Sequence, residues 1–290
     1  MSPKKPRRVL KLVLTLLTVG IVILGIRAWQ VVAPVLGWSI PSFDTEAPLL
    51  PPNLEDAPLA VLHFSRTAGF RHEEAIPAAT ASLEAIARRN GWALYSTENG
   101  AVFNAADLAR FDVIFGNNIT GPNWDEAQKS AFIEWVEDGG GFVGVHGAAG
   151  TRYRYWDWYT DTLLGGARFI GHPVSPHLSD ARVVVENPQH ITVAHFGPSF
   201  RHEDEWYSFE ASARAAGSHV LATLDEATYT PGEDLAMGAD HPIIWIACPG
   251  SGRSFYSALG HTAATYARPD HERMLEEAIR WAADRDAPCP

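Results

Sequence analysis

The sequence predicts an α/β fold, a doubly wound and mostly parallel sheet, preceded by an N-terminal transmembrane helix. Three features of the chain predict it. From Leu59 onward, short apolar runs alternate with helical stretches, the order that builds a parallel sheet with helices on both faces. The run 142–145 is too short and too apolar for a surface strand and lies between two glycine-rich turns, so it belongs in the centre of the sheet. Near the start, residues 12–26 are apolar and uncharged.

Taken in order, the first eleven residues hold Lys4, Lys5, Arg7, Arg8 and Lys11 and no acid. Counted from Val9, with Lys11 snorkelling outward, the apolar run behind them reaches the roughly 20 residues that a bilayer requires. No small-x-small cleavage site follows, and Trp29 and Trp38 read as interfacial anchors. Residues 1–37 are therefore expected to form a single-pass membrane anchor, with the domain facing the periplasm or exterior. Residues 38–58 carry Pro41, Pro48, Pro51, Pro52 and Pro58, a density that predicts an extended, semi-rigid linker. The globular domain is expected over 59–285.

Within that domain, 59–65 reads as the first strand. Glu73 and Glu74 suit a helix start, and Ile76, Leu83, Ile86 and Ala87 stripe that helix as far as Asn90. Residues 92–97 form the second strand, Asn104 with Asp107 caps a short helix, and 113–116 is the third strand. Asn123 and Glu126 form a capping-box-like pair for the helix that stops at Gly139. Farther on, 183–185 reads as a strand and 242–247 with 253–259 as a hairpin. The closing helix, 270–283, turns Met274, Leu275, Ala278, Ile279 and Ala282 inward.

Charge narrows the partners. The chain has 34 acidic and 23 basic residues, and six of the basic ones lie at or before Arg27. The remainder is strongly acidic and repels phosphate backbones, which argues against nucleic acid. Cys248 and Cys289 show no metal-type spacing, and a disulfide between them is left open.

The chemistry concentrates after the central strand. Gly144 and Gly147 flank His146 as glycines flank the nucleophile of a strand-turn-helix elbow, and His146 is expected at the carboxyl end of the sheet, where such folds bind ligands. His72, His172, His202, Asp204, Glu205 and His261 fall at other strand ends or in ligand-side loops. Imidazoles and carboxylates serve as acids and bases near neutral pH, or ligate zinc or manganese. No His-x-His or His-x-x-x-His pair occurs among them. Tyr153, Tyr155, Trp156, Trp158 and Tyr159 offer either ordinary packing or a stacking wall for a sugar ring.

The stretches 65–72 (SRTAGFRH), 139–146 (GGGFVGVH) and 204–207 (DEWY) resemble the trehalose-utilisation (ThuA-like) family, as do 223–229 (TLDEATY), 241–245 (HPIIW) and 258–261 (ALGH). The resemblance runs in register from about 59 to 283. It implies a class I glutamine-amidotransferase-like, flavodoxin-like fold and a sugar or keto-sugar ligand, with isomerase, lyase or hydrolase chemistry on trehalose-type or 3-keto-disaccharides. On it, His146, His261 and Glu205 are the expected catalytic residues. Arg66, Arg71, His72, Trp156, Trp158, Asp204 and Tyr207 are expected to bind substrate, and His172 and His202 to hold a divalent metal. A non-catalytic glycan-binding or scaffolding domain is the competing expectation. The elbow residue is histidine where glutamine amidotransferases use cysteine, so thiolate amide hydrolysis is excluded.

Overall fold

The protein is described from a computed structural model, in which residues 14–15, 17–25, 27–29, 42–151, 156–286 and 289 are defined. The chain divides into two compact units, Met1–Pro41 and Ser42–Pro290.

The expected membrane anchor fails in the first unit. Among the described residues, no helix is long and apolar enough to cross a membrane. The single-pass, outward-facing placement falls with the anchor. Trp38 lies outside the described residues.

The second unit is built on one nine-stranded sheet. Its first strands are β1 (Ala60–Phe64), β2 (Ala93–Thr97), β3 (Val113–Asn117) and β4 (Gly141–Val145). After β5 (Phe169–Gly171) come β6 (Ser179–Val185), β7 (Ser199–Asp204) and β8 (Ser208–Phe209). The last are β9 (His219–Asp225), β10 (Pro242–Ala247) and β11 (Arg253–Ser257). The order is β2-β1-β3-β4-β11-β10-β9-β6-β7, with β5 and β8 paired separately. Strands β2, β1, β3, β4 and β11 run parallel, and the remaining neighbours are antiparallel. The α/β reading therefore holds, with an antiparallel extension beyond the hairpin.

Burial explains the parallel half. Every residue of β1, β3, β4 and β11 is buried, as expected of strands covered on both faces. The helices α1 (Ala75–Asn90), α2 (Ala105–Leu108), α3 (Glu126–Glu137), α4 (Ala263–Tyr266) and α5 (Pro269–Ala283) connect and cover them. The predicted inner stripe of α5, Met274 to Ala282, is buried. Helix α3 starts differently from expectation. Its cap is Asp125, whose side chain accepts from Gln128 N while the Gln128 amide reaches back to the Asp125 backbone. Asn123 is instead buried and accepts from Ala68 N at 3.2 Å.

The described part of the proline-rich stretch lies against the domain. Arg66 pairs with Asp44, Gln128 Nε2 donates to Asp44 O at 2.7 Å, and Arg110 holds Glu55 and the Pro51 carbonyl. Leu54 is buried in the core. These contacts hold residues 44–55 against the domain. At the other end, a disulfide joins Cys248 to Cys289.

Candidate functional site

The parallel strands place their carboxyl ends on one edge. His72 follows β1, Asn118 follows β3, His146 follows β4 and His261 follows β11. Two residues there adopt a left-handed backbone without being glycine: Asn118 at φ 51° and His146 at φ 41°. Such conformations cost of order 1 kcal/mol or more and persist where the surroundings enforce them. Asn118 Oδ1 accepts from Gly147 N at 3.2 Å, and a Cβ on Gly147 would stand 3.0 Å from the Asn118 backbone. The elbow expected from the glycines is therefore a close crossing of two strand ends. Tyr256 donates its hydroxyl to His146 O at 2.9 Å and closes the turn from beneath.

His146 is fully buried. Its Nδ1 lies 2.8 Å from the Ala258 carbonyl, which can only accept, so Nδ1 carries the proton and Nε2 presents a lone pair. That lone pair lies 3.2 Å from His261 Nδ1 and 3.2 Å from Glu205 Oε2. His261 Nδ1 is likewise 3.2 Å from Glu205 Oε2. His72 completes the group: His72, His146, Glu205 and His261 each bring a ligand atom within 4.8 Å of the others. The rings of His72 and His146 sit edge to face at 4.8 Å, and Tyr207 packs on His146 with centroids 4.2 Å apart.

Glu205 reaches the site because its neighbour is locked. Asp204 is fully buried and accepts from Gly260 N at 2.8 Å, from His261 N at 3.0 Å and from Glu205 N at 2.9 Å. Gly260, at φ +125°, lets this loop pass Tyr266, where a Cβ would come 2.4 Å from the hydroxyl. The other carboxylate oxygen, Glu205 Oε1, is 3.1 Å from His172 Nδ1 and in contact with His177 Nε2. Pairing of β5 with β8 brings these histidines in, because Gly171 opposes Ser208.

The electrostatics follow from this crowding. Burial alone would raise the Glu205 carboxyl, but the imidazoles of His146 and His261 in contact with it hold it far below the ordinary carboxylate range. Burial works against Asp204 as well, and the His202 contact with nearby imidazole charge brings it down to about 2. His72 is pushed down to about 2 by burial first and by His146 and His261 next. Burial would lower His261, yet its bond to Glu205 raises it. Burial, then the charge of Glu205, keeps the Tyr207 phenol protonated well above its usual range.

Of the residues singled out by sequence, the fold brings together His72, His146, His172, Asp204, Glu205, Tyr207 and His261. His202 belongs to neither donor group. It is buried against Asp204 at 3.3 Å and Thr265 at 3.1 Å. Arg66 is engaged with Asp44 and the Ser42 carbonyl, and Arg71 with Thr67 and Glu98. Trp156 and Trp158 stack on each other and pack against Phe132, while Trp158 Nε1 donates to Glu137. Tyr153 and Tyr155 lie outside the described residues. His177 was not singled out by sequence; its only signal is a place five residues after His172 in one loop.

Similarities to known proteins bear on the family and the fold. Residues 60–282 match the family described as ThuA: Trehalose utilisation. A ThuA-like protein of Bacteroides uniformis is 26% identical, superposes with a TM-score of 0.67, and is covered over 91% of its length by 77% of this chain. A ThuA-like protein of Parabacteroides merdae is 18% identical with a TM-score of 0.57, over 90% of its length and 78% of this one. A Salmonella typhimurium protein, 15% identical with a TM-score of 0.50, covers 77% of this chain with 99% of its own and shares the fold. No curated protein matches the chain. With the match extending from β1 to the last turns of α5, the chain belongs to the trehalose-utilisation (ThuA) family.

Proposed function

We propose that this protein is a carbohydrate-processing enzyme that holds a divalent cation, zinc or manganese, between His72, His146, Glu205 and His261. The observation that carries the reading is the mutual 3.2 Å approach of His146 Nε2, His261 Nδ1 and Glu205 Oε2. Lone pairs converge there inside a buried site, which requires a cation or shared protons between them. Tetrahedral bonds of about 2.0–2.1 Å place neighbouring ligand atoms roughly 3.3 Å apart, which suits this spacing. His72 Nδ1 is buried without a hydrogen-bond partner among the described residues, a second sign that the donor set fits an ion.

A cation held there supplies Lewis-acid polarisation of a sugar carbonyl or hydroxyl oxygen. The chain's own groups fix the rest. The Ala258 carbonyl sets the His146 tautomer and Asp204 fixes the backbone that carries His261, the supporting contacts that orient ligating imidazoles. Tyr207 keeps its proton and offers an O–H donor beside His72, 3.5 Å from its Nε2. Both cysteines are tied in one disulfide, so no thiolate serves this centre.

The family's description points to trehalose-type sugars. A 3-keto-disaccharide is the substrate class proposed, since a carbonyl acidifies the adjacent C–H and opens isomerisation or eliminative cleavage to a positioned base. The test is turnover of a 3-keto-disaccharide alongside thermal shift, with the parent disaccharide as control and with and without zinc or manganese. Product formation that disappears in His146→Ala is expected. A shift in melting temperature with no product assigns a glycan-binding domain instead, and neither response sinks the carbohydrate reading.

A further inference from the structure

Resting on the cation centre proposed above, we propose that Glu205 bridges two cation sites, and that His172 and His177 complete the second. The two carboxylate oxygens are divided between two sets of imidazoles. Oε2 faces His146 and His261 at 3.2 Å each, whereas Oε1 faces His172 Nδ1 at 3.1 Å and contacts His177 Nε2. The second trio brings its ligand atoms within 4.8 Å of one another, as the first group does. The sets are contiguous, because the His177 ring meets the His261 ring edge to face at 4.8 Å.

Proton counting favours ions over hydrogen bonds alone. Glu205 is 3% exposed and four imidazole nitrogens face it. Were protons to satisfy that carboxylate from all sides, each nitrogen would have to carry one. His146 has placed its proton on the opposite nitrogen, toward Ala258. His172 Nδ1 also lies 3.0 Å from the Pro173 carbonyl, so it serves an ion only with its proton carried on Nε2. A carboxylate bridging two divalent ions satisfies both oxygens at once, and paired ions about 3.5–4 Å apart clamp two oxygens of one substrate. A keto-sugar with a hydroxyl beside its carbonyl offers such a pair.

The second site is the weaker one. His172 and His177 are 29% and 48% exposed, and they sit on the loop after β5, whereas the first set is buried except for a partly exposed His261. Its ion is therefore the first to leave.

The test uses the full chain, stripped with a chelator and reloaded with Mn²⁺ alone. Two manganese ions per chain by elemental analysis are expected, with an exchange-coupled multiline electron paramagnetic resonance spectrum. His177→Ala, at a half-exposed position, should remain folded by circular dichroism, keep one ion and give an isolated six-line signal. His172→Ala should do the same. A wild-type chain that saturates with one ion overturns the second site and leaves the first intact. A His177→Ala protein that still holds two coupled ions overturns the assignment of that residue and the bridge with it. A chain that binds no Mn²⁺ overturns the first centre as well, so the two failures are told apart by the ion count.

Discussion

Asp204 accepts the backbone N–H of His261 at 3.0 Å, and so the last strand of the sheet's antiparallel edge holds the loop that follows β11. The same carboxylate takes the N–H groups of Gly260 and Glu205. One buried side chain thus sets the position of two members of the donor group without belonging to it.

Asp204→Asn should therefore act through positioning. The amide keeps one acceptor and turns the other toward backbone donors, leaving a buried N–H group unpaired, which costs about 1–3 kcal/mol. Loss of a supporting contact of this kind typically weakens metal affinity 10–100-fold. Urea denaturation and Zn²⁺ titration on the same preparation check both effects. An Asp204→Asn protein of unchanged stability and unchanged affinity would remove the positioning role.

How far the site was legible in the sequence follows from which contacts are local. His146 was readable because Gly144 and Gly147 flank it, and His261 because a strand-like run ends on it. Glu205 is marked in the sequence by the charged run beside Trp206 and by the resemblance of 204–207 (DEWY) to the family. What placed it was the hold of Asp204 on residue 260, a contact 56 residues distant. His177 escaped notice because nothing local marks it; the pairing of β5 with β8 carries its loop to Glu205. His202 lies near the strand end that carries Glu205, yet it sits on the Asp204 face of β7 and meets Thr265 at 3.1 Å. Most strands and long helices were legible from apolar runs and glycine stops. The membrane helix expected from residues 12–26 is where the reading fails, since among the described residues no helix is long and apolar enough to cross a membrane.

Part of the acid sensitivity should come from outside the donor group. Burial brings His63 down to about 4, and it brings His271 down to about 3 with His202 adding to the effect. Both are lowered from 6.5 in the unfolded chain, so the stability they confer is fully present above about pH 6.5. It is lost as pH falls toward the folded values, because the unfolded state binds the protons first. With both groups acting, stability should fall by up to about 2.7 kcal/mol per pH unit in that window. Neither ring nitrogen of His271 has a hydrogen-bond partner among the described residues, so His271→Leu should be near neutral at pH 7.5 and stabilising at pH 5. Equal urea midpoints for wild type and His271→Leu at pH 5 would contradict this assignment.

The last prediction separates the backbone of the elbow from its chemistry. His146 sits at φ 41°, where glycine is at ease and any other residue is strained by roughly 1 kcal/mol or more. Its imidazole makes one backbone hydrogen bond, to Ala258, and otherwise faces the donor group. His146→Ala keeps the strain and loses the ring, whereas His146→Gly loses both. If strand ends impose the left-handed turn, the glycine variant should be more stable than the alanine variant by about 1 kcal/mol, the reverse of the usual order of these residues. Both should lose turnover alike, by roughly 10²–10⁴-fold if the ring acts in the reaction. Denaturation midpoints and specific activity measured on both variants decide the matter. An alanine variant as stable as the glycine variant would mean that the turn relaxes once the ring is gone, so that the imidazole and its bond to Ala258, not the crossing of Asn118 over Gly147, hold the left-handed backbone.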